Sequence, residues 1–338
     1  MRNEMRKFLW LKAVGSDATL AAVAVVAATA AAAAAAQAQP NYPNRPIRFV
    51  VPLAVGGALD IASRLFGQKL AESFGQQVVI DNRPGAGGII GADIAAKSAP
   101  DGYTLMMASI SHTVLPSMHK QLPYDIVKDF APASQLVTFP FLLLVHPTVS
   151  AKSVKELVAL AKAKPGQINY VSSGNGSTAH LNAELFKSLT GISAVHLPYK
   201  GTAPALVGFL AGEAGMGFYS VSATLPHVKA GRLRALATTG AKRSPSLPDL
   251  PTAVEAGVPG FETGSWAGVL SPAGTPRVVM EKLHRELVRV LQLPDVRERL
   301  AAIDFEPVGN TPEQFGALIK QEVARWAKVV KASGAKVD

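Results

Sequence analysis

Gly56 and Gly57 interrupt the run FVVPLAVGGALDIASR (49–64), where an apolar stretch gives way to an amphipathic one that opens with Asp60. Lacking Cβ atoms, the pair lets the backbone turn sharply and approach a ligand closely. A helix beginning there presents unpaired N–H groups, and the positive end of its dipole, to whatever lies above the preceding strand. That is the chemistry of an anion-binding loop, although an ordinary strand-to-helix turn has the same spacing. Ser172–Ser177 (SSGNGS) repeats the pattern. There Ser173, Gly174, Asn175, Gly176 and Ser177 offer either amide donors to a ligand or a plain N-cap to the next helix. In Tyr199–Pro204 the backbone donors of Gly201, Thr202 and Ala203 are favoured over the Lys200 ammonium, which can snorkel outward. Ser109-Ile110-Ser111-His112 follows a further strand, and its hydroxyls suit an anion or the capping of a turn.

Other residues narrow the chemistry. His180 and Glu184 stand four apart, but no third ligand is spaced nearby, so a hydrogen-bonded structural histidine is expected rather than a metal site. Asp60 is expected to be structural, favouring the helix dipole and pairing with Arg64 one turn on. Gly85-Ala86-Gly87-Gly88 fails the dinucleotide spacing because position 90 is isoleucine, so it reads as a tight turn with close helix packing. In the stretch from Gly264 to Gly268 the serine falls one place too early for a nucleophile elbow. Trp266 suits a cleft wall or a core between lobes equally well. No cofactor is indicated. The chain has no cysteine, which excludes disulfides, thiol catalysis and cysteine-held metals.

Residues 1–38 read as a targeting segment: Arg2, Arg6, Lys7 and Lys12, then the small apolar run Leu20–Ala36, then Ala36-Gln37-Ala38 as a cleavage signal. The mature chain is expected to be soluble outside the cytoplasm. The formal charge of +10 falls to +8 once the leader's four bases and two acids are subtracted. That excess favours acidic solutes only at long range. No dense basic block with interleaved aromatics is present, so nucleic acid is not an expected partner.

The mature sequence alternates short β-rich runs with helical patterns, which argues for α/β lobes with parallel sheets. One series covers strands at 47–51, 78–80 and 104–108; a second covers strands at 168–172, 194–197, 216–219 and 233–238; helices close the chain at 276–291, 296–301 and 312–331. Gln135–Val145 and Phe261–Leu270 break the alternation and suit crossings between lobes. The expected division is 39–136 plus 271–338 as lobe 1 and 146–260 as lobe 2, with 137–145 and 261–270 as hinge strands.

The stretches VPLAVGGALDIASR (51–64), VVIDNRPGAGGIIGA (78–92), APDGYTL (99–105), NYVSSGNGSTAHLNAELFKSLTG (169–191), LPYKGTAPAL (197–206) and LPHVKAGRLRALATT (225–239), in this order, resemble the solute-binding receptors of tripartite tricarboxylate transporters, the Bug family. The resemblance implies a two-lobed periplasmic binding protein of the type II flytrap kind, a monomer that closes over a small carboxylate and serves two membrane subunits. It places the carboxylate between backbone amides of both lobes, with Leu53, Ala54, Val55, Gly56, Gly57 and Ala58 as the first lobe's share. Ser109, the Ser173–Ser177 loop, Gly201–Ala203 and Tyr219 complete the candidate set. The chain departs from the family pattern at Leu53 and Val55, and at Gly215 and Tyr219, where acids are usual. Loss of an acid at 219 points to a carboxylate without an ammonium group. A sensor delivering the liganded form to a signalling partner, or an exported hydrolase, are the competing expectations.

Overall fold

The computed structural model describes residues 42–333, so the leader expected at 1–38 lies outside the described residues. These residues fall into two units. Residues 42–44, the described part of the first unit, carry no regular element, and everything named below belongs to the unit that begins at Arg45.

The chain runs β1 (Ile47–Val51), α1 (Ala58–Phe74), β2 (Val78–Asn82), α2 (Ile89–Ala96), β3 (Thr104–Ser109), α3 (Ile110–Met118) and β4 (Phe130–Phe139). After Pro140 come β5 (Phe141–Val145), α4 (Val154–Ala163), β6 (Ile168–Ser172), α5 (Thr178–Thr190) and β7 (Ala194–Pro198). They are followed by α6 (Thr202–Leu210), β8 (Met216–Ser220), α7 (Val221–Lys229) and β9 (Arg234–Thr238). A long loop then leads to β10 (Ser265–Pro272), α8 (Arg277–Leu291), α9 (Pro294–Ala301), β11 (Glu306–Pro307) and α10 (Pro312–Ser333). Among the described residues the strands form two sheets, ordered β11-β4-β10-β3-β1-β2 and β7-β6-β8-β5-β9. These are two α/β lobes, as the alternating pattern predicts, but the sheets are mixed rather than parallel: β10 runs antiparallel to β3 and β4, β11 to β4, and β5 to β8 and β9. Among the described residues no helix is long and apolar enough to cross a membrane.

Sheet order fixes where a ligand can sit. β1 pairs in parallel with both β2 and β3, and β6 pairs in parallel with both β7 and β8. The connecting helices therefore diverge on either side of β1 and of β6. This opens a crevice beyond the carboxyl ends at Val51 and Ser109 in one lobe, and at Ser172 and Ser220 in the other.

Apolar burial holds these edges rigid. In the first lobe Val50, Met106, Trp266 and Leu270 pack beneath Phe315, Ile319 and Trp326 of α10. In the second, Leu142, Leu144 and Val171 pack beneath Ala205, Leu206 and Phe209 of α6. The Val, Leu, Ile, Phe and Met side chains among them contribute about 1.5–3 kcal/mol each when fully buried.

Three features escape the sequence pattern. Helix α3 is missing from it because Ile110–Leu115 are all buried, leaving no amphipathic stripe, and Pro116 lies inside. The apolar run Gln135–Val145 is broken by Pro140 into the end of β4 and the whole of β5, which belong to different sheets. In the same way Ser265–Leu270 belongs to β10, which pairs with β3 and β4 inside the first sheet.

Candidate functional site

Helix α1 starts at Ala58 with Gly57 as an N-cap that has no side chain to offer. Its first amides, from Ala58 and Leu59, donate to no acceptor among the described residues. The loop before it is clamped from below. The Asp60 carboxylate, 2% exposed, accepts from the Gly56 amide at 3.0 Å, from Arg64 Nε at 3.0 Å and from Asn82 Nδ2 at 3.0 Å. Arg64 engages both carboxylate oxygens, a bidentate form of the pair expected at this spacing. Asn82 also donates to the Leu53 carbonyl at 3.1 Å. Burial pushes the Asp60 carboxyl up, but hydrogen bonds from Arg64, Gly56 and Asn82 outweigh it and hold the group below the usual carboxylate range. Asp60 is thus an internal brace that consumes the Gly56 donor and leaves the amides on either side free.

The second lobe builds its loop differently. Ser177 caps α5, its Oγ accepting from the His180 amide at 3.3 Å. The Gly174 amide donates to Ser172 Oγ at 3.1 Å and the Gly176 amide to His180 Nδ1 at 3.1 Å. Asn175, Thr178 and Ala179 keep amides with no acceptor among the described residues. The Gly201 amide donates to the Ser173 carbonyl at 3.1 Å, and Ser173 Oγ meets Thr202 Oγ1 at 3.3 Å, which ties the β6–α5 and β7–α6 turns together. Helix α6 likewise begins with free amides at Thr202 and Ala203.

The two lobes bring these tips together. A Cβ added at Gly201, whose φ is +119°, would stand 2.5 Å from Ala54 Cβ, and one added at Gly57 would stand 3.1 Å from Thr202 Oγ1. Ser111 Oγ of α3 lies 3.3 Å from Thr178 Oγ1 at the head of α5. Amides from the starts of α1, α5 and α6 thus border the seam between lobes, flanked by Val55, which is exposed. Their partial positive charge suits a carboxylate.

Of the residues named from sequence, Tyr219 and Trp266 lie in the lobe cores, while Ser109 stands directly behind Ser111 of the seam. The Ser109 hydroxyl is buried at the start of α3, 3.4 Å from Ser111 Oγ, while its amide donates to His112 Nδ1 at 3.1 Å. Burial pushes His112 down to about 4. Tyr219 is 2% exposed and packs on Phe209 in the second-lobe core, its hydroxyl buried with no hydrogen-bond partner among the described residues. Trp266 packs edge-on against Phe315 in the first-lobe core. His180 does not bond Glu184, which instead takes Tyr170 and Lys187. No cluster able to hold a metal occurs among the described residues. The sequence pattern did not disclose Asn82, whose partners are remote in sequence, nor that Ser111 would meet Thr178 across the seam.

A cavity of about 770 Å³ opens beside the head of α5, lined by Thr178, Asn182 and Leu185 of the second lobe and by Ile110, the Phe139-Pro140 link, Thr263, Trp266 and Trp326. In its walls Lys242, Arg243 and Arg325 are outnumbered by four acids, Glu262, Asp304, Glu306 and Glu322. Its side chains therefore give it no net positive charge, and the donors that suit an anion are the amide tips at its Thr178 edge.

Two α/β lobes that meet at helix N-termini define a bilobal binding protein. Residues 62–335 match the family model described as "Tripartite tricarboxylate transporter family receptor", and the chain belongs to that family. It is 39% identical over 293 residues to Protein BugT of Bordetella pertussis, covering 86% of this chain and 90% of that one. Among solved structures it resembles R. palustris Rpa4515 with adipate (TM-score 0.85, 38% identity), covering 88% of this chain and all of that one. It also resembles the periplasmic binding protein BugD (TM-score 0.84, 34% identity), covering 87% of this chain and 99% of that one. The two-lobed periplasmic binding-protein fold expected from sequence is borne out.

Proposed function

We propose that this receptor captures a small organic carboxylate between the amide tips of α1, α5 and α6 and delivers it to the two membrane subunits of a tripartite transporter. It acts as a soluble monomer in the periplasm after loss of residues 1–38. Residues 39–136 with 271–338 close on 146–260, and within the segments 137–145 and 261–270 the bending falls to the links at Pro140 and before Ser265, because β5 and β10 are paired inside their own sheets. The observation that carries this reading is the meeting of unsatisfied backbone donors from both lobes at one seam. Micromolar affinity needs about 8 kcal/mol, and charge-assisted hydrogen bonds contribute ~1.5–3 kcal/mol each, so four to six donors suffice without a basic side chain. A ligand touching both lobes also favours the closed arrangement, because it has no comparable affinity for the open one.

A hydrolytic role has little support. Ser172 Oγ and His196 Nε2 lie at 2.7 Å, but this serine is fully buried and its hydroxyl is committed to the Gly174 amide and carbonyl. We therefore read the chain as a receptor without turnover.

The likeness to an adipate-bound protein makes adipate the first probe. Adipate at 100 times its dissociation constant is expected to stabilise the protein by about 2.7 kcal/mol, seen as a rise in melting temperature. The uncharged dimethyl ester should give no rise, and glutamate, which carries an ammonium group, a smaller one. An equal response to the ester would contradict a site built for carboxylate.

A further inference from the structure

We propose that His180, with His196 stacked upon it, is the positioning residue that holds the second-lobe loop in its donor-presenting shape. It does so only while neutral, so that taking up a proton loosens the grip on the carboxylate. This deepens the function proposed above and rests on it.

The geometry is specific about the proton. The Gly176 N–H points at His180 Nδ1 from 3.1 Å, so that nitrogen must keep its lone pair and the ring proton belongs on Nε2. A second proton on Nδ1 would set two donors face to face. Gly176 has φ +74° and sits one residue before the Ser177 cap, so its displacement moves the Thr178 and Ala179 amides with it.

The other end of the loop reports to the second ring. His196 Nε2 lies 2.7 Å from Ser172 Oγ, which holds both the amide and the carbonyl of Gly174 at 3.1 Å. The His180 and His196 rings stack 4.4 Å apart and within 6° of parallel, and Tyr170 stacks on His196 at 4.7 Å. Two cations cannot be accommodated in that stack.

The groups around the pair offer an imidazolium little relief. From α5 come Glu184 and Lys187; from β6, Tyr170 and Ser172; from β7, His196 itself. The Glu184 carboxylate is already held by the Tyr170 hydroxyl at 2.5 Å and by Lys187 Nζ at 2.7 Å. Burial pushes His180 below the usual imidazole range, with Glu184 opposing and Lys187 assisting. Burial, joined by the neighbouring His180, pushes His196 down to about 4. Both rings are therefore neutral in the closed loop, while a released, solvated imidazole takes a proton near 6.5. The loop's contribution is complete above about pH 6.5 and fades as the pH falls below it.

The test is a pH titration of the unliganded protein by NMR, reading the His180 ring nitrogens and the Gly174 and Gly176 amides, beside adipate calorimetry on wild type, His180→Asn and His180→Gln. Asparagine places its oxygen where Nδ1 stands, whereas glutamine places its oxygen near Nε2. We expect Nδ1 to be unprotonated at neutral pH and both amides to move in the same step as the ring, below about pH 6.5. H180Q should bind adipate at least about tenfold more weakly than wild type, and H180N should recover most of that loss. H180N should also lose less affinity than wild type on acidification, which separates the ring from protonation of adipate itself. A protonated Nδ1 at neutral pH, ring titration without movement of the loop amides, or equal weakening in both variants would overturn the proposal. If wild type bound no carboxylate, the proposed function would fail, while the ring and amide titration would still decide the role of His180.

Discussion

Gly201→Ala is expected to weaken adipate binding by roughly a hundredfold or more while leaving the fold intact. Gly201 holds φ +119° at the start of α6, and the added Cβ would stand 2.5 Å from Ala54 Cβ in the opposing lobe. Two costs follow, and they act on different states. The backbone angles, φ +119° and ψ 173°, lie in a region open essentially to glycine alone and cost an alanine about 1–3 kcal/mol whether the lobes are open or shut. The collision exists only when they are shut. Holding the loops apart by about an ångström takes one lobe's amides out of reach of the carboxylate. Losing two charge-assisted hydrogen bonds at ~1.5–3 kcal/mol each amounts to between about a hundredfold and ten-thousandfold in Kd. Calorimetry with adipate beside a thermal melt of the unliganded variant separates the two costs. Binding within about threefold of wild type would mean that the Ala54–Gly201 approach is irrelevant to capture.

Asp60→Asn should damage stability and binding together. One oxygen of the carboxylate receives the Gly56 amide and Arg64 Nε, and the other receives Asn82 Nδ2. Whichever way the new amide turns, it sets a donor against a donor. Arg64 is half exposed and recovers solvation, so the loss is about 2–3 kcal/mol rather than that of a fully buried pair. A melting point lower by about 4–8 °C is expected. Adipate affinity should fall more than about tenfold, because Gly56 and the Leu53 carbonyl lose their anchors and the α1 tip drifts. In wild type the Asp60 carboxyl lies below its unfolded value, so its stabilisation is present at neutral pH and is lost as the pH falls through the folded value in acid. Denaturant titrations should show this acid decline in wild type and a smaller one in D60N. Unchanged stability in the variant would mean that the brace is idle.

The lobes were legible because strands and helices alternate with clear periods, and the Gly- and Ser-rich turns were legible because only small residues suit close backbone approach. What makes those turns a site was not local. Asp60 and Asn82 are 22 residues apart, and Ser111 and Thr178 are 67 apart. Neither pair obeys a helical or strand period, so no spacing rule brings them together. Tyr219 shows a second limit. Met216–Ser220 is buried on both faces, so alternation cannot say which way a side chain points, and the ring lies in the core beneath α6. Helix α3 failed for a related reason, since a helix buried all round has no polar stripe to mark its period.

The claim on which the account depends is that backbone amides from both lobes hold one carboxylate group. A crystal structure of the adipate complex tests it most directly. The account predicts a carboxylate within about 3.2 Å of amide nitrogens at the start of α1 and at the start of α5 or α6, with no lysine or arginine among its ligands. A carboxylate bound to a basic side chain, seated against Pro140 and Trp266 out of reach of the amides, or held by one lobe alone would contradict it.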